Sequence, residues 1–199
     1  MAQLQLLQQT LTANDVVYTP DWAALDIVEW FKPSGRILEP CKGQGAILKY
    51  LPNADWCEIS EGKDFFAWNE PVDWIVSNPP YSMFNDWLEH SFQIAPDIVY
   101  LMPLQKFFNA FGTMEACRKH GWVKHIRVYG TGTRLKFPMG NAIGAIHFVR
   151  SYVGDTSWSW YAPNNRLHMD AGDSPRQPSQ STLEGFTPAE ADSTPAPRQ

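Results

Sequence analysis

Cysteine is scarce: Cys41, Cys57 and Cys117 are all that 199 residues hold. An odd count at these spacings gives neither a disulfide framework nor a zinc signature, so reduced, buried or half-buried thiols are expected. The 5 histidines also lack ligand spacing, and no metal is expected. Positive charge is in deficit, with 16 Lys and Arg against 21 Asp and Glu and a net charge of -5. That excludes a globally basic nucleic-acid coat but leaves room for a local basic face. No apolar run is long enough to span a bilayer. The first residues, Met1-Ala2-Gln3-Leu4, have neither the basic start nor the long apolar stretch of a signal peptide. Internal repeats are absent. A soluble cytoplasmic protein with no membrane partner is expected, as a monomer or a homodimer.

What is present is enough for one domain with a sizeable core: 44% of residues are hydrophobic, and 9 are Trp. Residues 1–15 read as a weakly helical extension and 16–165 as the folded domain. Residues 166–199, rich in Pro, Ser, Thr and Gln, read as a disordered tail with no assigned role.

Within the domain, Thr19 is placed to cap a helix with Pro20 at its first position. Buried strands are expected at 36–40, 56–59, 72–77 and 97–103. Helices are expected to open at Ala46-Ile47-Leu48, to span 83–93, and to carry Phe107, Phe108, Met114 and Cys117 up to Gly121. Two last strands, 123–129 and 142–149, could pair antiparallel. Strands alternating with helices predict a doubly wound, mostly parallel α/β sheet, with the closing hairpin placing one antiparallel strand at or near its edge. Ligands bind such sheets at the carboxyl ends of the strands.

Three candidate motifs lie at strand ends. Glu39-Pro40-Cys41-Lys42-Gly43-Gln44-Gly45 joins a strand to a helix, where glycines let the backbone approach a ligand and free helix-start N–H groups favour a negative group. By itself such a segment is usually just a turn. Glu58 ends the next strand, as a ribose-hydroxyl acceptor or as a solvated acid. Asp64 could accept from an adenine amino group and Phe65 stack on the ring; the plainer reading is a helix cap and a core aromatic.

Asn78-Pro79-Pro80-Tyr81, at the end of an apolar strand, is the sharpest signal. A ring amine is a poor nucleophile because its lone pair is delocalised. A site must take hydrogen bonds from its N–H groups and steer the lone pair towards the methyl donor. The Asn78 side-chain oxygen and the Pro79 carbonyl are suited to this, the prolines fix the carbonyl angles, and Tyr81 can stack on the ring. Catalysis is then orientation and electrostatic preorganisation, with no strong base.

In this order the motifs resemble the gamma-order S-adenosylmethionine-dependent amino-methyltransferases, chiefly DNA adenine-N6 enzymes of the compact phage or prokaryotic, restriction-modification kind. The resemblance covers roughly residues 16–150. It implies a Rossmann-like methyltransferase fold with S-adenosylmethionine as cofactor, and N6-methylation of adenine in DNA with base flipping. It implies that Tyr18-Thr19-Pro20 closes over the methionine part, and that the loop from Leu38 to Ile47, with Glu39, Pro40, Cys41, Gly43, Gly45 and Ala46, holds the cofactor. Glu58 becomes the ribose acid, Asp64-Phe65 the cofactor-adenine contact, and Asn78 to Tyr81 the catalytic motif. The globular part is expected to end near Tyr161, without the large target-recognition domain of many relatives, so either sequence preference is short or absent or a partner supplies recognition.

On the substrate side, Phe137 is the candidate second stacking face, or else hairpin core. Arg118, Lys119, His120, Lys124, His125 and Arg127, joined by Arg134 and Lys136, form the densest basic cluster and are read as phosphate contacts. Gln105, Lys106 and Asn109 are placed to border the target groove. Amino-group methylation of RNA and of protein glutamine are the alternatives; cytosine-N4 methylation and a non-catalytic cofactor-binding subunit are weaker ones.

Overall fold

The Asp97–Pro103 strand is apolar along almost its whole length because both of its faces are covered. In the computed structural model, which describes residues 17–109, 111–135 and 140–162, this strand is the middle of a sheet with helices on both sides. The helices are α1 (Asp21–Phe31), α2 (Phe84–Ile94), α3 (Leu104–Phe108) and α4 (Phe111–His120). The strands are β1 (Ile37–Glu39), β2 (Asp55–Trp56), β3 (Trp74–Ser77), β4 (Asp97–Pro103), β5 (Gly121–Thr131), β6 (Ala142–Arg150) and β7 (Ser157–Trp160).

Spatial order is β2-β1-β3-β4-β6-β5-β7. Strands β2, β1, β3 and β4 pair in parallel, β6 is antiparallel to both β4 and β5, and β7 returns parallel to β5. The expected doubly wound, mostly parallel sheet is present. Its antiparallel strand, β6, comes from the expected closing hairpin and lies third from one edge, with β5 and β7 beyond it.

Two cores flank the sheet. One joins Phe84, Leu88 and Phe92 of α2 and Cys117 of α4 to Ile98, Tyr100 and Met102 of β4 and Phe148 of β6. The other sets Ala23, Ala24 and Ile27 of α1 against Val76, Val99, Leu101 and Ala145. Strand β5 serves both faces by alternation, and a bulge at Lys124 keeps Val123 on the side of Ile126 and Val128. Val123, Ile126 and Val128 then face the first core, and Tyr129 faces the second.

Several local expectations are corrected. Pro20, not Thr19, is the N-cap of α1; no side chain caps this end, and the Pro20 carbonyl takes Ala23 N and Ala24 N. No α-helix opens at Ala46. Residues 46–50 form turns with mixed bonds, Lys49 N to Gly45 O and Tyr50 N to Ile47 O, and Pro52 blocks their extension into a helix. The second strand stops at Trp56, because Glu58 turns the chain into the 3-10 helix Ile59–Glu61. The helix expected between β4 and β5 is two helices, α3 and α4, and Thr113 Oγ1 ties the latter to Asn85 Oδ1 of α2 at 2.5 Å. Strand β7 had no counterpart among the expected elements.

Candidate active site at the carboxyl ends of β1 and β3

The chain leaves β1 for β2 on one side and returns to β3 on the other, so a crevice opens where these connections diverge, at the strands' carboxyl ends. Glu39 ends β1 and is 1% exposed. Its Oε1 accepts from Ser77 Oγ of β3 at 2.6 Å and from Cys41 N at 3.0 Å, which locks the ends of the two strands together. Burial pushes the Glu39 carboxyl up to about 8 despite these two donors, so it is largely protonated at neutral pH.

The loop after β1 is shaped by its glycines. Gly43 (φ 51°) and Gly45 (φ 79°) both take left-handed backbone that only glycine adopts cheaply. Gly43 N donates to Glu58 Oε2 at 2.9 Å, and Ser60 N and Oγ donate to Glu58 Oε1. Burial would raise the Glu58 pKa, but those donors, with Lys42 nearby, outweigh it and hold the carboxyl below its ordinary value. Glu58 is therefore an anion that splints the loop to the end of β2. Beside it, Lys42 pairs with Glu61, and the Lys42 and Lys63 ammonium groups lie 4.0 and 3.3 Å from the Trp56 ring centroid.

Asp64 Oδ1 caps the 3-10 helix Phe65–Ala67 by accepting from Phe66 N at 3.0 Å. Phe65, 3% exposed, sits 4.6 Å from the Trp87 ring of α2, and His90 Nε2 lies within hydrogen-bond reach of the Phe65 and Trp68 carbonyls.

At the end of β3, Asn78 Nδ2 donates to Val17 O at 2.8 Å, and Asn78 Oδ1 accepts from Tyr81 Oη at 2.7 Å. The Tyr81 ring is buried in the core under α2.

These parts surround one cavity of about 450 Å³. Of the residues singled out for the cofactor and the catalytic motif, twelve line it: Tyr18, Thr19, Glu39, Pro40, Cys41, Gly43, Ala46, Glu58, Asp64, Phe65, Asn78 and Pro80. Four do not: Pro20 and Gly45 act through the backbone beside it, while Pro79 and Tyr81 sit behind Asn78. Tyr81 points its hydroxyl at Asn78, so in this conformation it is no stacking platform for a ligand in the cavity. Burial raises the Cys41 thiol far above its ordinary value, leaving it an uncharged wall group. Lys42, Gln44 and Ile47, parts of the expected cofactor loop, line the cavity as well; sequence reasoning missed Val17, Ile59, Ser60, Lys63, Phe66, Met83 and Trp87. Of these, Phe66 was signalled by its place beside Phe65. Trp87 was visible only as a helix-face apolar residue.

The basic cluster is dispersed. Arg127 is a correction: its guanidinium is buried in an ion pair with Asp26 of α1, with Nη2 to Oδ1 at 2.7 Å and Nε to Oδ2, and it stacks on Trp30 at 3.8 Å. It is not available to a phosphate. His125 bridges Ser157 and Ser159 of β7, and His120 stacks on Phe92. Gln105, Lys106 and Lys124 are exposed outside the cavity lining. Arg134 lies in the 3-10 turn Gly132–Leu135, while Lys136 and Phe137 lie outside the described residues. Among the described residues no group of three or more His, Cys, Asp and Glu could hold a metal ion, and no helix is long and apolar enough to cross a membrane.

No family model and no curated protein matches the chain. Solved structures do share its fold. A candidate class I S-adenosylmethionine-dependent methyltransferase from Listeria monocytogenes aligns over 80% of this chain and 70% of its own, at 13% identity and TM-score 0.53. The modification subunit of a candidate type I restriction enzyme from Vibrio vulnificus YJ016 aligns over 83% and 51%, at 12% identity and TM-score 0.53. A candidate RNA methyltransferase from Pyrococcus horikoshii aligns over 75% and 97%, at 14% identity and TM-score 0.50. The common ground is the Rossmann-like sheet of S-adenosylmethionine-dependent methyltransferases.

Proposed function

We propose that this chain is an S-adenosylmethionine-dependent methyltransferase that modifies the N6 amino group of adenine in DNA. The reading rests on one arrangement: the Asn78 side-chain amide, held from both ends, at the rim of a cavity whose opposite parts fit an adenosine-bearing ligand. Phe65, Phe66 and Trp87 offer flat apolar walls, and anionic Glu58 keeps acceptor capacity for ribose hydroxyls beyond its protein donors. Asp64 Oδ2, not used in the cap, is free to take an amino group. Thr19 and Glu39 add polar groups to the lining of the same cavity.

When bound, S-adenosylmethionine supplies an electrophilic methyl group. The residues of the chain position the acceptor. Asn78 Oδ1 has a second lone pair beyond the one that Tyr81 uses, and it accepts one N–H of a planar amine. Val17 O fixes which end of the amide faces the rim. Proline at 79 and 80 stiffens the backbone that carries the adjacent carbonyls. Removing the amine's proton needs no strong base, because water takes it once the lone pair has reacted. Kinship of fold with type I modification subunits supports DNA as the polymer; the same fold in a candidate RNA enzyme keeps RNA as the alternative outcome.

The test is incubation with labelled S-adenosylmethionine and DNA, RNA or protein, followed by nucleoside analysis. N6-methyladenine in DNA is expected, with transfer lowered about 10²- to 10³-fold in Asn78→Ala. Label confined to RNA or protein overturns the DNA reading. Absence of a thermal shift with S-adenosylhomocysteine overturns the cofactor assignment.

A further inference from the structure

Among the described residues β7 is the last strand of the sheet, and its outer edge, which no described strand pairs, is uncharged and aromatic. Its register against β5 pairs Ile126 with Trp158 and Val128 with Trp160, and Tyr161 N donates to Val128 O at 2.8 Å. In a parallel pair alternate residues turn their backbone groups to the neighbouring strand. Ser157, Ser159 and Tyr161 therefore face β5, and the N–H and C=O groups of Trp158 and Trp160 point outwards. The side chains divide likewise. The Ser157 and Ser159 hydroxyls meet His125 on one face. On the other face Trp158 lies parallel to Phe108 of α3, with ring centroids 6.0 Å apart. Trp158 is 49%, Trp160 73% and Phe108 52% exposed. The usual guards of an edge strand, Lys, Pro or a bulge, are missing from Ser157-Trp158-Ser159-Trp160.

We propose that β7 is a dimerisation edge whose occupant is β7 of a second copy, running antiparallel across a twofold axis at Ser159. That register is self-complementary. Trp158 of each copy lies opposite Trp160 of the other, and the outward groups of these residues are the ones an antiparallel ladder bonds, giving four main-chain hydrogen bonds. Both Trp–Trp pairs fall on the Phe108 face as cross-strand aromatic neighbours. Each copy carries a net charge of -5, yet the four meeting residues carry none, so the contact line avoids like-charge opposition. At about 200 Å² per large aromatic side chain, the three exposed rings present on the order of 350 Å² per copy. The pair hides roughly 700 Å² of ring surface, below the ~1,200 Å² of stable complexes, so the dimer is reversible and concentration-dependent. This inference does not depend on the methyltransferase reading.

Sedimentation velocity of the full chain over roughly 1 to 200 µM tests it. The sedimentation coefficient is expected to rise from monomer to dimer, and Trp160→Lys, with Tm unchanged, to weaken association by about tenfold or more. Register is tested by oxidation. Ser159→Cys is expected to form a covalent dimer, because facing residues of that pair have Cα atoms about 4.5 Å apart, within disulfide reach. Ser157→Cys faces Tyr161 of the other copy and is expected not to cross-link. A wild-type chain that stays monomeric throughout, a dimer indifferent to Trp160→Lys, or equal cross-linking of both cysteine variants overturns the proposal.

Discussion

The Tyr81 hydroxyl donates to Asn78 Oδ1 at 2.7 Å, so the aromatic residue of the motif acts on the amide next to it. Tyr81→Phe removes that donor and leaves Asn78 with its Val17 anchor. The expected result is a fall in methyl transfer of about tenfold or less, with cofactor affinity unchanged. Tyr81→Ala also opens a core cavity and is expected to cost about 3–5 kcal/mol of stability. Single-turnover kinetics with paired denaturation curves distinguish the two; transfer by Tyr81→Phe equal to wild type would mean the hydroxyl only packs.

Glu39 makes stability depend on pH in a stated direction. Its folded pKa, about 8, lies above the ordinary carboxylate value. Its favourable contribution is therefore complete below about pH 4.5 and is lost as pH rises through about 8. Glu39→Gln, which keeps the shape without the charge, should remove this trend. The stability difference between wild type and variant is expected to move against the wild type by a few kcal/mol between pH 5 and 8, then level off. Urea titrations across that range decide it, and a flat difference would show that Glu39 is ionised throughout.

The Asp26–Arg127 pair predicts a structural phenotype for an arginine that sequence alone assigns to phosphate. Asp26 accepts from Nε and Nη2 of Arg127 and from Tyr129 Oη. Asp26→Ala strands a buried guanidinium and should cost about 3–5 kcal/mol. Arg127→Met in the same background should recover part of this. The slope of nucleic-acid affinity against salt is expected to be the same for Arg127→Met as for wild type; a shallower slope would return Arg127 to the interface.

Gly121 opens β5 where a Cβ would lie 2.1 Å from Val149 O and 2.8 Å from Arg150 Cα, both backbone atoms. Gly121→Ala should destabilise by about 1–3 kcal/mol or more. At Gly154 the added atom meets only the far end of the Tyr152 side chain, which can swing away, so Gly154→Ala is the mild control. Chemical denaturation of both variants checks the contrast.

The half of the sheet that carries the site was legible because its signals are local. Strands β3 and β4 are continuous apolar runs, and Asn78-Pro79-Pro80 sits where one of them ends. What stayed hidden depends on partners far along the chain. Arg127 looks like a surface cation until Asp26 arrives from 101 residues away. Trp87 is one apolar residue on a helix until α2 brings it against Phe65. Strand β7 has only four residues, and its two serines gave no apolar run to notice. The sequence places Glu39 in a buried strand and in the cofactor loop, but only its enclosure between β1 and β3 makes its carboxyl protonated.

The Asn78–Val17 hydrogen bond spans 61 residues and ties the segment bordering the cavity to the amide at its rim. For anyone building on this molecule, the stretch just ahead of Tyr18 is therefore a poor place to join a fusion partner, because a load pulling on Val17 is transmitted to the Asn78 side chain.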